Sequence, residues 1–546
     1  PEPEALFGWS KFTTDLVGAN DSMFGSSIAM THSGQYLVVG APNSDNSKGV
    51  VFVYERNQNK EWTSLSTRTI NNTNNSAAPG VEGYSTSAAY SGSLSVGAFR
   101  MKFGSVVSVN EDATIVAVSS PDWAPPGEYG KGGAGIPGMV QVYKLQSDNT
   151  YSKIGQDLIG IQGDSATVSQ RFGLSISLSS DGNRIAIGDR NFVGTSEING
   201  ATGISYSGRV LVYDYDESGD NWVSISSKYN PNKITTDENG NTILSDTSNT
   251  DNHIESDLTI EGTRAGPRAY DQFGYSVSIS PTDKRIIAIG APCVLACDSF
   301  DDSTLSTANI TASGFTAVYA LIYNTTNDNY EITSDQNHTT DMKWIQLGYP
   351  YGNTFTSPNG FETQGFTMKG TQNKDQMGIC VSITGGIIEK AGQYDFDIVM
   401  AGTSKLGGDL SNGSVNITKM KFDDFTTSSG ESRRWSAFTE IVLENSFDLS
   451  VNSIQHMALS KDGKFIIVGS AENDGETGTN SGSVNIYQDF TRNDAPLYDG
   501  ASQPVMDWIE TADNLDGENP QEFSGRHVAI TEYGSMVTLS ANTYSD

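Results

Sequence analysis

The sequence is poor in cysteine, in basic residues and in long apolar runs. Its three cysteines allow one intramolecular disulfide at most. Lysine and arginine total 33 against 65 aspartates and glutamates, a formal charge of −32. This negative field disfavours nucleic acid as a partner; it favours cations or basic proteins, or it serves solubility alone as a solvated acidic surface. No stretch approaches the ~18 consecutive apolar residues of a membrane-spanning helix, so we predict no membrane span.

The cysteines differ in their surroundings. Cys293 and Cys297 lie in a loop-like stretch, "PCVLACDS", whereas Cys380 falls in an apolar strand-like run, "GICVSI". We predict a disulfide between the first two, with Cys380 buried and unreacted. Two reduced loop thiols are the alternative. A zinc site is poorly supported, because no second pair of ligands lies nearby.

Asparagine, serine, threonine and glycine replace the missing apolar and charged residues. Only 36% of the chain is hydrophobic and 18% is charged, and this composition is typical of strands and loops. Eight Asn-x-Ser/Thr sequons fall in or beside predicted loops, which indicates an extracellular or cell-surface glycoprotein. The predicted glycan acceptors are Asn20, Asn71, Asn74, Asn309, Asn324, Asn337, Asn412 and Asn416.

One phrase recurs along the chain. "FGSSIAMTHSGQYLVVGAP" begins at Phe24, and "FGYSVSISPTDKRIIAIGAP" begins at Phe273. Aligning the alternating strand that follows Phe-Gly gives seven copies. The copies begin at Phe24, Phe103, Phe172, Phe273, Met377, Ser453 and Ser524.

Each copy contains the same parts in the same order. An alternating strand, a tight turn and a nearly continuous apolar strand are followed by a strand that begins with glycine. An aromatic residue marks the fourth strand, at Trp62, Tyr151, Trp222, Trp344, Trp435 and Trp508. Four antiparallel strands in seven repeats predict an all-β fold, a seven-bladed β-propeller formed by residues 1–546 as a single domain.

The two ends of the repeat series predict how the ring closes. Trp9 has the character of a fourth strand but precedes the first copy, so residues 5–17 are predicted to complete the last blade. The seventh copy reaches Asp546 before a third strand appears. Either the chain continues past Asp546 and supplies that strand, or another polypeptide, such as another copy of this chain, donates it.

The phrases "FG…S", "VVGAP" and "AIGAP" resemble the FG-GAP repeat, the propeller unit of integrin α chains. Propellers of this family often bind calcium in the turn between the first two strands, in loops resembling Asp-x-Asp-x-Asp-Gly-x-x-Asp. The turns here, such as "THSGQY" and "SKDGKF", lack those carboxylates. The longer fifth turn, "GGIIEKAGQYDFD", contains Asp395 and Asp397 but no glycine-centred loop. We therefore predict no metal site and no cofactor.

No catalytic motif stands out. The histidines form no metal-binding spacing, and both the Gly-x-Ser-x-Gly elbow and the phosphate-binding loop are missing. We therefore expect a protein that is not an enzyme. The alternative is a carbohydrate-active enzyme, a glycosidase or polysaccharide lyase, in which two of the many carboxylates meet around the axis.

The longest insertions fall in connections that open on one face of the predicted propeller. They are Asn71–Arg100, Ser120–Pro137, Arg190–Ser207, Tyr229–Asp271, Cys293–Ser313 and Tyr349–Asp375. Aromatic residues in two of them suit a binding surface, although they could equally pack the loops onto the propeller. The candidate ligand-binding residues are Trp123, Tyr129, Tyr349, Tyr351 and Phe355.

These features predict a secreted or cell-surface propeller that binds a protein or glycan partner, in adhesion or extracellular assembly. The alternative is a structural subunit of an extracellular filament, sheath or wall.

Overall fold

The apolar runs of the repeats form strands that are buried on both faces. Ile286–Ala291, for example, is buried at every residue. A strand of this kind needs a cover on each side of its sheet, and stacked neighbouring sheets provide one.

The computed structural model describes the residues given in the next sentence, and every structural statement below refers to them. They are 9–11, 13–64, 69–71, 102–123, 137–160, 171–192, 208–225, 234–236, 242–244, 253–254, 272–292, 314–324, 330–331, 342–346, 355–356, 362–363, 368–369, 376–390, 393–405, 413–421, 437–442, 454, 456–474, 477–490, 508–511 and 515–541.

Six antiparallel sheets, or blades, each pair their strands in chain order. Blade 1 has β1 (Ser27–Met30), β2 (Tyr36–Ala41), the short helix α1 (Ser44–Ser47), β3 (Val50–Arg56), β4 (Trp62–Ser64) and β5 (Ile70–Asn71). Blade 2 has β6 (Val106–Val109), β7 (Ile115–Ser120), β8 (Met139–Leu145) and β9 (Tyr151–Ile159). Blade 3 has β10 (Ser175–Leu178), β11 (Arg184–Gly188), β12 (Val210–Asp216) and β13 (Asn221–Ser224), followed by the hairpin β14 (Ile234–Thr236) and β15 (Thr242–Leu244), and by β16 (His253–Ile254).

The second half of the chain repeats this arrangement. Blade 4 has β17 (Ser276–Ile279), β18 (Ile286–Ala291), β19 (Phe315–Asn324), β20 (Tyr330–Glu331) and β21 (Met342–Gln346), followed by the hairpin β22 (Phe355–Thr356) and β23 (Glu362–Thr363), and by β24 (Met368–Lys369). Blade 5 has β25 (Val381–Lys390), β26 (Gln393–Lys405), β27 (Gly413–Lys421) and β28 (Ala437–Val442). Blade 6 has β29 (His456–Leu459), β30 (Phe465–Ser470), β31 (Ser483–Asp489), β32 (Trp508–Glu510) and β33 (Leu515–Asp516). A two-stranded sheet follows, made of β34 (Val528–Ile530) and β35 (Val537–Leu539).

The fourth strands lie where the aromatic residues predict them. Trp62, Trp222, Trp344 and Trp508 lie in β4, β13, β21 and β32, and Tyr151 opens β9. The predicted equivalent Trp435 lies outside the described residues. In blades 1, 3, 4 and 6 a further short strand (β5, β16, β24 or β33) pairs the other end of the third strand.

The structure has six four-stranded blades rather than the predicted seven. The seventh copy contributes only β34 and β35 among the described residues, a pair that we call the last sheet. Its first strand packs against β29 of blade 6 and against β1 of blade 1. Closure by an N-terminal strand is not confirmed. Residues 9–11 and 13–18 form no strand, although Trp9 packs against Val528 and Ile530.

The hydrophobic core is divided into layers between neighbouring blades. One layer joins Val212 of blade 3 to Ile289 of blade 4, and another joins Val53 of blade 1 to Val118 of blade 2. The last sheet takes part in two layers. Ile530 packs against blade 6, and Met536, in the turn before β35, packs against blade 1.

The recurring glycines mark the contact between neighbouring blades. Gly104, which follows Phe103, adopts a φ of 88°, a conformation that only glycine adopts easily. A Cβ on Gly40, in the "VVGAP" of the preceding blade, would lie 2.0 Å from the Gly104 carbonyl oxygen. Gly290 meets Gly378 in the same way, at 2.1 Å. The two glycines of the repeated phrase therefore touch across the blade interface.

Candidate functional site at the ends of the propeller axis

Side-chain hydroxyls join the first strands of neighbouring blades. Ser177 of β10 accepts a hydrogen bond from the backbone N–H of Ile279 in β17 at 2.9 Å. Ser382 of β25 accepts one from the N–H of Leu459 in β29 at 3.0 Å. A buried N–H without an acceptor is costly, so these hydroxyls help to fix the spacing of the blades around the axis.

The turns between first and second strands form a ring at one end of the axis, which we call the turn ring. Its bonds run from Glu111 N–H to Ser180 O (3.0 Å), from Ser180 Oγ to Pro281 O (2.7 Å), from Ser280 Oγ to Gly385 O, from Thr384 Oγ1 to Lys461 O, from Asp462 N–H to Glu532 O (3.2 Å) and from Glu532 N–H to His32 O (2.8 Å). A contact of 3.0 Å between His32 Nδ1 and Glu111 Oε2 completes the ring. The turn of the last sheet thus takes its place between blades 6 and 1.

One charged cluster spans this ring. Glu111 Oε2 lies 3.0 Å from His32 Nδ1 and 3.2 Å from Lys461 Nζ. Lys461 belongs to blade 6 and Glu111 to blade 2, which are not neighbours, so this ion pair is a chord across the ring. The hydrogen bond with His32, together with the charges of His32 and Lys461, holds the pKa of the Glu111 carboxyl below its ordinary value.

The cluster allows two interpretations, one catalytic and one structural. A histidine held by a carboxylate is an arrangement used in general acid–base catalysis. Here, however, the same oxygen of Glu111 contacts both His32 and Lys461, which balances its charge and ties three turns together. We therefore interpret the turn ring as a structural closure of this end of the axis.

Three ionisable side chains occupy equivalent repeat positions at the beginning of the first strands, away from the turn ring. Cys380, His456 and His527 each stand three residues after the start of a copy. The rings of the two histidines have their centroids 4.9 Å apart. The backbone N–H of Val528 donates to Nδ1 of His456 at 3.4 Å, so this side chain also bridges two sheets.

Burial keeps these three side chains uncharged at neutral pH. It lowers the pKa of His456 from its ordinary 6.5 to about 4. Burial, with repulsion from His456 and Arg526, lowers the pKa of His527 well below its ordinary value. Burial raises the pKa of the Cys380 thiol to about 12. In the described part of the chain, no group of three or more His, Cys, Asp or Glu side chains is placed to hold a metal ion.

Two classes of connection open on the opposite face. Isolated parallel bridges join Gly208 to Phe273, Gly314 to Met377 and Gly482 to Ser524. In each pair, the first residue follows a connection between second and third strands, and the second residue follows a connection between blades. Both classes of connection therefore emerge on one face, as the alternating strand directions predict. We call it the loop face, and all six long insertions belong to it.

Trp123 lies at the base of one of these insertions. Its backbone N–H donates to Ser120 O at 3.0 Å, and its carbonyl accepts from the N–H of Gly138 at 3.1 Å. The residue is half-buried. Trp123 is thus held in place where the loop leaves blade 2.

The other candidate ligand-binding residues cannot be placed beside Trp123. Tyr129, Tyr349 and Tyr351 lie outside the described residues, as does the side chain of Phe355, whose backbone belongs to β22. The predicted aromatic surface on the loop face stays a prediction.

The structure describes one of the three cysteines. Cys380 is buried, as the apolar run around it predicts. Cys293 and Cys297 lie outside the described residues, so their disulfide stays a prediction.

The sequons fall in different surroundings. Asn20 is exposed and Asn71 is half-buried. Asn416 lies within β27 with an exposure of 0%. Because a glycan needs a solvent-exposed amide, this burial rules out Asn416 as an acceptor in the folded chain. Outside the described residues lie Asn74, Asn309, Asn337 and Asn412, and the side chain of Asn324.

The sequence contains a signal that would have identified both axial clusters. In the alignment of the copies, His32, Glu111 and Lys461 share the position eight residues after the start. Residues that share one position in every blade form a ring around the axis. Comparing polar residues position by position, rather than along the chain, reveals such rings.

Similarity to known proteins is found at the level of structure. No family model and no curated protein matches the sequence. The chain is similar to hydrazine synthase of Kuenenia stuttgartiensis, with 10% identity, a TM-score of 0.38 and coverage of 98% of this chain and 99% of the other. It is similar to the periplasmic gluconolactonase PpgL of Pseudomonas aeruginosa, with 11% identity, a TM-score of 0.35 and coverage of 91% and 89%. It is also similar to the Dos1 propeller, with 11% identity, a TM-score of 0.33 and coverage of 96% and 91%.

These findings correct one prediction. Two of the three similar structures carry the names of enzymes, a hydrazine synthase and a gluconolactonase. The expectation that the chain is not an enzyme is contradicted on that ground and is withdrawn. The low identities and TM-scores assign no activity to this chain.

No helix among the described residues has the length and apolar character required to span a membrane.

Proposed function

We propose that the chain is an extracellular or cell-surface β-propeller that binds a protein or a glycan through its loop face, in adhesion or in an extracellular assembly. The contrast between the two faces carries the proposal. At the turn ring, every turn bonds to the next one. The two classes of connection that contain the six long insertions open on the loop face, and loops on a rigid scaffold are where binding usually resides.

We also propose that the repeats are of the FG-GAP type and that the last sheet is the inner half of a seventh blade. The contact between Gly40 and Gly104 supports the first point, because it gives both glycines of the phrase a role. The position of the last sheet between blades 6 and 1 supports the second. Calcium is not required in this proposal, because the turns lack the carboxylates of the family.

A loop replacement tests the binding function. Residues 124–136 are replaced by a Gly-Ser linker of equal length, and binding is measured on immobilised panels of glycans and extracellular matrix proteins. We expect the strongest signal of the full chain to fall by about tenfold, the effect of losing a small cluster of dominant contacts. The control is Tyr533→Ser, which changes a side chain that is 66% exposed on the opposite face. Equal binding by the loop variant, or no probe bound above background, would contradict the proposal.

The compartment has a separate test. The intact mass of the native protein is compared before and after enzymatic removal of N-glycans. A loss of mass is expected, and an unchanged mass would contradict the proposed location.

A structural subunit of an extracellular filament, sheath or wall is the second candidate. The last sheet favours it, because no described strand pairs with its outer edge, where a strand of another chain could join.

A further inference from the structure

The last sheet presents an unusual outer edge. Ser540 N–H donates to His527 O at 2.9 Å, and Thr531 N–H donates to Met536 O at 3.0 Å. Backbone groups of an antiparallel strand alternate between its two sides. Those of the intervening residues Val537 and Leu539 therefore point away from β34, and no described strand pairs with them.

In the six blades this edge is covered. The third strand pairs there along the second strand, as β31 does from Phe465 to Ser470 of β30. Unpaired backbone groups beside an apolar layer are costly, and an open strand edge is a template for another strand. The edge of β35 therefore differs from its six equivalents in the property that attracts a strand.

The space where outer strands would lie is partly filled by the N-terminal segment, of which residues 9–11 and 13–18 are described. Trp9 Nε1 donates to Thr511 Oγ1 of blade 6 at 3.2 Å. Leu16 packs on the other side, in the layer that contains Trp62 of blade 1 and Met536. The segment thus bridges the two flanking blades without forming a strand.

A gap remains between this segment and blade 1. Its volume is about 570 Å³, and it is lined by Lys11, Thr13, Thr14, Leu16, Glu61, Trp62 and Thr63. Val17, next to Leu16 in the chain, is 85% exposed, and Leu539 of β35 is 37% exposed. The lining of the gap contains both apolar and polar side chains, which suits a strand with apolar side chains at alternate positions.

The charges around the gap favour a strand with a positive net charge. Lys11 is already held by Asp15 at 2.9 Å and by Glu518 at 2.8 Å. Glu61 faces the gap, and its described side-chain hydrogen bond comes from the neutral amide of Asn57. With a formal charge of −32 on the chain, a second copy would meet like charge, whereas a basic segment would be attracted.

We propose that the outer edge of β35 binds an extended segment of a separate, basic polypeptide by β-augmentation. The main chain of the segment pairs with Val537 and Leu539, its alternate apolar side chains enter the gap beside Leu16 and Trp62, and its basic residues face the acidic rim. Main-chain pairing supplies affinity, and the gap supplies selectivity.

The test uses the full chain and a fluorescent peptide that alternates valine and lysine, with anisotropy as the readout. Leu539→Pro removes an outward N–H but leaves the bonds to β34, whereas the matched control Leu539→Ala keeps that N–H. We expect Leu539→Pro to weaken binding by about tenfold or more and Leu539→Ala by less than about threefold, the difference reflecting a lost backbone hydrogen bond. Equal losses in the two variants would overturn the proposal.

Two further peptides test the selectivity. One has the same composition with its valines and lysines in separate blocks, and the other carries glutamate in place of lysine. Both are expected to bind more weakly by about tenfold or more, since neither matches the alternation and the charge together. Equal binding of the block peptide would reduce the interaction to general charge attraction and overturn the inference.

Amide hydrogen exchange tests the edge without any substitution. The amides of Val537 and Leu539 should exchange rapidly in the full chain alone and at least about tenfold more slowly with the alternating peptide bound. Protection in the chain alone would mean that the chain itself or a second copy already covers the edge. Light scattering then distinguishes these two sources, and either one overturns the proposal.

Discussion

At the scale of single residues, the tightest packing falls on the glycines where blades meet. A Cβ on Gly40 would lie 2.0 Å from the Gly104 carbonyl oxygen, a backbone atom that cannot rotate away. We expect Gly40→Ala to lower the free energy of unfolding by about 2 kcal/mol or more, measured by urea denaturation. The control is Gly219→Ala in an exposed turn, where the nearest atom is a side-chain oxygen of Asp216 at 3.1 Å. Equal stability of the two variants would contradict this account.

A second prediction at this scale concerns pH. The pKa of His456 is about 4 in the folded chain, below its ordinary 6.5, so the unfolded chain binds more protons between these values. Stability should therefore be lost as the pH falls from 6.5 towards 4. His456→Gln keeps an acceptor for Val528 N–H but does not titrate, and it should remove about 2–3 kcal/mol of the decline. Urea denaturation at about pH 7.5 and about pH 4.5 measures it, and parallel declines in the two proteins would refute it.

At the scale of elements, the second and fourth strands could be predicted from the sequence. Continuous apolar runs mark strands that are buried on both faces, and one aromatic residue recurs in the fourth strand. The fifth turn could not be predicted in this way. "GGIIEKAGQYDFD" is predicted to be a long turn, yet β25 extends to Lys390 and β26 begins at Gln393. Its isoleucines and aromatic residues favour strands, and a hairpin needs only two residues to reverse. The comparison with the other copies does not reveal this extension, because the first and second strands are joined by a short turn in those copies.

The hydroxyls between first strands provide a prediction about an element interface. Ser177→Ala removes the acceptor of the Ile279 N–H, which leaves a largely buried donor unpaired. We expect a loss of about 1–2 kcal/mol in unfolding free energy. Ser64→Ala, in the exposed outer strand β4, is the matched control and should be neutral within ~0.5 kcal/mol. Thermal and urea denaturation measure both, and a neutral Ser177→Ala would show that the bridge carries no stability.

At the scale of the whole molecule, the turn ring could not be predicted residue by residue. Lys461 and Glu111 are 350 positions apart, and they meet only because the blades bend the chain into a ring. The blade count also differs from the count of repeats. Seven copies are visible in the sequence, but the seventh contributes only two strands among the described residues.

The chord across the ring is testable by a double-mutant cycle. Glu111→Gln and Lys461→Met each remove one charge of the pair, and the double variant removes both. We expect a coupling free energy of about 0.5–2 kcal/mol, because the pair is partly shielded from solvent and its partners lie on non-neighbouring blades. Raising the salt concentration should reduce the coupling. A coupling indistinguishable from zero would mean that the blades alone set the diameter of the ring.

The last sheet also determines how this ring would respond to mechanical force. Among the described residues, the core layers on its two sides contain five buried apolar side chains each, whereas four layers between neighbouring blades contain ten to fourteen. A pull that separates blades 6 and 1 therefore meets its weakest resistance there, and the ring should open at this seam first. A strand bound along β35 would extend the last sheet between blades 6 and 1. A propeller with its partner in place should therefore open at a higher force.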